Sequence, residues 1–387
     1  MEKLQRWIAS ALKQMVEADN VLGFQLLQQL HQAAPAQNIS LSPFSIALAL
    51  GMAYNGAEGE PKKALGQLLG DQGLRIEAVN AANRALLNVP GELGPNAQLA
   101  IANSIWVKLG LRLATFYVLD MREVYDAEVG ALDFRKPAAA DLINRWVASA
   151  TKDMITELVT PDLLRDAVLV LINALYFKGV WATQFDPHET AQRPFTCLNG
   201  ACQDHPLMSR SGQFSYLETE TFQAVALPYG AGDEPRIEMI VLLPKPHVEL
   251  DALVGDLSAE QWTAWMQGFH QAQGTLMLPR FKTTFGVDLK SPLVKLVGQA
   301  LADTDFLKMG AGPLRIDAII HKTVVEVNEE GTEAAAATAV VMTRSLAPVE
   351  RFRMTVDRPF FYAIRDRETG LIWFIGMILN PQEKGRV

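Results

Sequence analysis

Val325-Glu-Val-Asn-Glu-Glu-Gly331-Thr-Glu-Ala-Ala-Ala-Ala337-Thr-Ala-Val-Val-Met342-Thr-Arg344-Ser-Leu-Ala-Pro348 is the stretch on which the reading of this chain turns. It begins as a strand, with Thr323, Val325 and Val327 alternating against Lys322, Val324 and Glu326. From Gly331 the side chains become small, and Glu333 is the only charge before Arg344. The Ala334–Ala337 run favours a helix by propensity, but no apolar stripe at helical spacing accompanies it. Read at period 2, one face is Thr332, Ala334, Ala336, Thr338, Val340 and Met342, and the other is Glu333, Ala335, Ala337, Ala339, Val341 and Thr343. Such a segment can lie in a loop, yet can also enter a sheet and bury one whole face without burying a charge.

Outward from this stretch, the composition bounds the class. The chain has 387 residues, 49% of them hydrophobic and 20% charged, as expected for a globular protein with a large core. Length alone allows two domains, but no repeat and no Pro/Ser-rich linker divides the chain, so one domain over 1–387 is expected. A net charge of −8 without any Lys/Arg run argues against generic nucleic-acid binding. No run reaches the ~18–20 apolar residues of a membrane span. Met1–Gln14 is too charged for a signal-peptide core, which leaves a cytoplasmic default, or an extracellular location if a signal was removed. Cys197 and Cys202 flank Asn199-Gly200, and both a bridge across a short hairpin and two free thiols fit that spacing.

Along the chain, helical spacing covers Leu4–Leu30, Phe44–Ala53, Pro61–Leu69, Ile76–Val89 and Asp141–Leu158. Ser42 and Pro43 form a helix start, and the segment that follows is apolar nearly all round, so it should be buried. Strands are expected at Ala97–Val107, Ala127–Phe134, Ala167–Phe177, through Arg193–Pro244, at Thr275–Thr284, Lys322–Val327, Arg351–Arg365 and Leu371–Leu379. Short helices are expected at Ser258–Phe269 and Ser291–Leu301. Helices come first and strands dominate later, an α+β order.

Catalytic signatures are missing. There is no nucleophile elbow, phosphate loop or zinc helix, and Gly230-Ala-Gly and Gly310-Ala-Gly read as turns. His188-Glu189 has no second histidine at ligand spacing. No catalytic residue, metal site or cofactor is therefore assigned, and the chain is not read as an enzyme. Four polar residues stand in apolar surroundings: Asn173 within a buried strand, His321 at the head of another, and Ser42 and Ser45 beside the buried helix. If buried they must be hydrogen-bonded, either separately or as one network.

Residues 329–341, Glu-Glu-Gly-Thr-Glu-Ala-Ala-Ala-Ala-Thr-Ala-Val-Val, resemble the hinge and reactive-centre loop of serpins, the serine-protease-inhibitor family. The likeness extends over essentially the whole chain. Asn38-Ile-Ser-Leu-Ser-Pro-Phe-Ser-Ile is similar to the family's buried-helix motif, and Leu171-Ile-Asn-Ala-Leu-Tyr-Phe-Lys-Gly-Val-Trp to its third main-sheet strand. Ile143-Asn-Arg-Trp-Val is similar to the helix lying across that sheet, and Asp357-Arg-Pro-Phe with Phe374-Ile-Gly-Met-Ile-Leu-Asn-Pro to the C-terminal hairpin.

The resemblance implies a fold of three β-sheets and about nine helices with an exposed reactive-centre loop at about 329–348. It implies a suicide substrate: a target serine protease cuts the loop and forms an acyl-enzyme, and the loop then inserts into the main sheet as a strand, a transition known for serpins. By resemblance the hinge comprises Glu329, Gly331, Thr332, Ala334, Ala335, Ala336 and Ala337, with no bulky or charged residue at its inward positions. Ser42, Ser45, Asn173 and His321 match the shutter, and Trp181, Arg280 and Glu329 the breach, where Glu329 is expected to pair with Arg280. The commonest loop length puts the reactive bond at Ser345–Leu346, and one residue shorter puts it at Arg344–Ser345. Chemistry favours Arg344, because a long cation fits the acidic pocket of a trypsin-like protease. A monomer is expected, without a heparin-type cofactor, since Ile76–Val89 lacks a basic cluster. The alternative is a non-inhibitory serpin acting as a binding or chaperone-like protein.

Overall fold

The computed structural model describes residues 2–71, 74–89, 96–230, 235–302, 306–312, 314–332 and 351–381. Ten α-helical segments and three sheets, of nine, six and two strands, make up these residues.

The six-stranded sheet positions the site. Its order runs Phe281–Asp288, Ile316–Val327, Leu169–Val180, Ala97–Lys108, Ala127–Leu132, with the two-residue strand Gly331–Thr332 also paired to Leu169–Val180. Leu169–Val180 is the buried central strand foreseen in the sequence. It pairs antiparallel with Ala97–Lys108 but parallel with Ile316–Val327. That parallel register ends at the rung Val324↔Tyr176. Above it, Gly331 and Thr332 pair antiparallel with Val180 and Gly179.

Period-2 alternation sends the central strand's side chains to two cores. Ile172, Ala174 and Tyr176 join Ala318, Ile320 and Val324 beneath Ile143 and Val147 of the helix Pro137–Ala150. Leu171, Leu175 and Phe177 face the other way, into the core that contains the helix Pro43–Gly56. That helix starts as its sequence implies: the Ser42 side chain accepts from Ser45 N–H, and Pro43 occupies the first turn. Asn55 is the one residue of Pro43–Gly56 that is not buried, and it bonds Gly51 O, Asn80 and Tyr125. Behind it lies the nine-stranded sheet, in which Phe360–Asp366 and Ile372–Ile378 form the C-terminal hairpin.

Several boundaries differ from expectation. The helix read over Asp141–Leu158 begins at Pro137 and ends at Ala150. Thr151 Oγ1 bonds back to Val147 O and takes the N–H of Ile155, and Lys152 and Asp153 then adopt positive φ of 54° and 63°, so Ile155 and Leu158 lie beyond the helix. Arg351–Arg365 is two strands, Phe352–Thr355 and Phe360–Asp366, interrupted at Asp357-Arg-Pro where Pro359 has no N–H to offer a ladder. A helix at Thr115–Tyr125 was not foreseen, its aromatic and β-branched residues being weak helix formers. Cys197 is buried and Cys202 exposed, and both are free thiols. They lie on adjacent rungs of the hairpin and so on opposite faces, which settles the open question against a bridge.

Candidate functional site

The top of the six-stranded sheet brings together Glu329, Gly331 and Thr332, the described part of the expected hinge. The strand Ile316–Val327 ends in an Asx turn, Asn328 Oδ1 accepting from the N–H groups of Glu330 and Gly331 at 3.1 and 3.2 Å. The turn reverses the chain, and the backbone returns against the central strand. Gly331 has φ of +150°, and a Cβ there would stand 1.9 Å from Gly179 O, so only glycine fits. Thr332 follows with no exposed surface, its hydroxyl 2.9 Å from that of Tyr229.

Tyr229 in turn stacks on Trp181 with ring centroids 4.2 Å apart and packs edge-on against Phe177. The Trp181 indole donates to Asn328 O at 2.9 Å and its backbone N–H to Glu330 O at 2.8 Å, while Phe185 N–H donates to Glu329 O at 2.9 Å. Arg280 sits at the junction of Pro279 and Phe281, where two strands meet, and gives Nε at 2.8 Å and Nη2 at 2.5 Å to Glu329 Oε1. Thr190 Oγ1 donates to the same oxygen at 2.5 Å. Burial pushes the Glu329 carboxyl up, but the bonds from Arg280 and Thr190 outweigh it and hold the group below the ordinary carboxylate value. Trp181, Arg280 and Glu329, separate in sequence, thus form one cluster that grips the turn before Gly331.

A second cluster lies mid-sheet. Asn103, Asn173 and His321 occupy one rung across three strands. Asn173 Oδ1 accepts from His321 Nδ1 at 2.8 Å and from Ser45 Oγ, and its amide donates to Asn103 Oδ1 at 2.7 Å. His321 Nε2 accepts from Ser42 N–H at 3.1 Å, which fixes the Nδ1–H tautomer. Complete burial lowers the imidazole to about 3, so it is neutral at pH 7. Ser42, Ser45, Asn173 and His321 are therefore one network joining the sheet to the helix Pro43–Gly56, rather than four separately satisfied residues. Sequence reasoning missed Asn103, whose amide continues the network to Tyr125 O at 3.0 Å. It also missed Thr323, bonded to Ser40 O at 2.8 Å, and the Ser40–Tyr362 hydroxyl pair at 2.6 Å. The available signal was Asn103 itself, a lone amide in the apolar run Ile101–Val107. On the opposite face, Lys322 donates its ammonium to Glu157 O, tying the sheet to the segment that follows the overlying helix.

Ala334, Ala335, Ala336, Ala337, Arg344, Ser345 and Leu346 lie outside the described residues. No group of three His, Cys, Asp or Glu that could hold a metal occurs among the described residues.

The site is thus a six-stranded sheet with a parallel central pair, a buried helix behind it and the Asn328–Thr332 turn folded back against its top. A family model described as Serpin (serine protease inhibitor) matches residues 17–381. The chain belongs to the serpin family. It is 32% identical over 376 residues to human glia-derived nexin, covering 93% of this chain and 92% of the relative. A crystal structure of native protease nexin-1 with heparin superposes with a TM-score of 0.84 at 29% identity, over 96% of this chain and 100% of that one. Human thyroxine-binding globulin complexed with thyroxine gives 0.88 at 26% identity, over 96% and 100%.

Proposed function

We propose that this chain inhibits a trypsin-like serine endopeptidase as a suicide substrate. The protease hydroxyl attacks the Arg344 carbonyl, the acyl-enzyme forms as the Ser345 amine leaves, and the loop enters the six-stranded sheet before that ester is hydrolysed. The observation that carries this reading is Thr332: uncharged, wholly buried and already paired with Gly179. Thr332 thus lies in the sheet without burying a charge, and the buried carboxylate just before it, Glu329, is paired with Arg280, which supports insertion from this point. Glu329, Gly331 and Thr332 would be where insertion starts, Trp181 and Arg280 would hold that start in place, and the Ser42–Ser45–Asn173–His321 network would be what parts lower down.

A polysaccharide cofactor is not part of the proposal, although the nexin structure was solved with heparin, because the helix Ile76–Asn88 carries Arg84 as its only basic residue. The alternative, a non-inhibitory binding protein, draws on the likeness to thyroxine-binding globulin. Incubation with trypsin separates the two. An inhibitor gives a covalent complex that survives denaturing electrophoresis, and a binding protein gives fragments only. Mass spectrometry of the released C-terminal peptide tests the bond: a fragment beginning at Ser345 supports Arg344, and one beginning at Leu346 refutes it.

A further inference from the structure

A cavity of about 460 Å3 opens beside the hinge, walled by His205, the residues from Arg280 to Lys282, those from Glu326 to Glu330, and the two prolines Pro187 and Pro381. Its volume falls in the range of small-molecule sites.

Its charges are arranged in depth. The side chains of Arg280 and Lys282 are 44% and 56% exposed, whereas their partners Glu329 and Glu326 are 7% and 30% exposed. Glu330 is half-buried, with Oε2 sealed in the wall. His205 is buried, gives Nε2–H to Arg280 O at 2.5 Å and is kept neutral by burial and by the neighbouring guanidinium. The carboxylates outnumber the cations, yet a molecule entering from solvent meets the cations first. Arg280 also has capacity to spare. Both of its bonds go to one oxygen of Glu329, and Nη1 has no partner among the described residues. Around these heads the apolar lining is the two prolines, with Phe281 and Val327 closing the cavity from the core side, their own side chains buried.

We propose that this cavity binds a small amphipathic carboxylate, an aryl or alkyl acid. Its anion would lie on Arg280 Nη1 and the Lys282 ammonium, and its apolar body against Pro187 and Pro381. A carboxylate there competes with Glu329 for the guanidinium. Binding and the Arg280–Glu329 pair are then coupled, each weakening the other. The site stands whether or not the chain inhibits a protease. Only its consequence, a looser grip on the turn before Gly331, rests on the proposed function.

The test is calorimetric titration of the full chain with 2-naphthoate, without protease. Lys282→Met should weaken binding about tenfold, as one half-exposed charge-assisted contact implies. The neutral analogue 2-naphthylmethanol should bind at least tenfold more weakly than the acid, by the same reasoning. Glu329→Gln should tighten binding several-fold, because it frees Arg280. Arg280→Met should abolish binding, and Lys282→Met and Glu329→Gln keep the test decisive if that variant does not fold. Undiminished affinity in Lys282→Met, equal binding of the alcohol, or no heat at millimolar 2-naphthoate would overturn the site. Unchanged or weaker binding in Glu329→Gln would overturn the competition. If the titrations succeed and no protease is trapped, the inhibitor reading alone fails.

Discussion

Thr332→Arg is the most direct test of the mechanism. Thr332 has no exposed surface, lies opposite Gly179 on the central strand and shares a hydrogen bond with Tyr229 at 2.9 Å. The carboxylate of Glu329, three residues earlier, is already committed to Arg280 and Thr190. An arginine at this position must therefore either stay out of the sheet or enter it as an unpaired buried cation, at a cost of about 3–5 kcal/mol. If that cost falls on the insertion step, insertion slows by a factor of roughly 10²–10⁴. Hydrolysis of the acyl-enzyme then wins the race. Titration of trypsin should show the moles of inhibitor consumed per mole of protease rising from near one to well above about ten, the gel showing cleaved chain rather than complex. Thr332→Ser, which keeps the hydroxyl and the size, should behave as the parent. A Thr332→Arg protein that forms the covalent complex at the parent stoichiometry would refute the reasoning.

Four further outcomes are expected. Proteolysis within 333–350 should raise the melting temperature sharply if the freed segment becomes a strand, and calorimetry showing no rise would leave only a protease substrate. Gly331→Ala places a methyl group against Gly179 O, so hydrogen exchange should speed up at the Trp181 and Phe185 amides that hold the turn. His321 is a base whose folded value, about 3, lies below the ordinary 6.5. The unfolded chain therefore binds the extra proton, and stability is full above pH 6.5 and falls as the pH drops toward 3; His321→Gln should flatten that part of a melting-temperature profile. Asp19 is an acid of the first helix, fully buried without a partner for either oxygen among the described residues, and burial raises its carboxyl well above the ordinary value. Its neutral form favours the fold at low pH and that advantage is lost as pH rises, so Asp19→Asn should raise the melting temperature at pH 8 by about 2–8 °C and change little at pH 4.

The parts legible in the sequence were those decided by local pattern. The Ser42–Pro43 start, the apolar run of the central strand and the alternation through Val327 each reflect a rule that acts within a few residues. Arg280 pairs with Glu329 as the resemblance implied, although 49 residues separate them, because the sheet brings two strand ends together. Where the reading failed, the deciding contact lay elsewhere in the chain or in side-chain chemistry that competes with propensity. Thr151 stops its helix through its own hydroxyl, and no periodicity registers that. Asn103 joins the polar rung only because three strands align it with Asn173 and His321, and a register across strands far apart in sequence cannot be read from spacing.

The parallel pairing of Leu169–Val180 with Ile316–Val327 has a vectorial consequence. Both edges of that seam point the same way, and parallel ladders are slightly weaker per residue than antiparallel ones. A strand that runs against both edges replaces one parallel ladder with two antiparallel ones; a strand that runs with them gains only more of the weaker kind. Gly331–Thr332 has already chosen the first direction. The seam therefore discriminates the polarity of any peptide offered to it. A synthetic copy of residues 332–345 should anneal with its amino end beside Trp181, and a spin label or cross-linker at that end should report Trp181 rather than the far end of the seam.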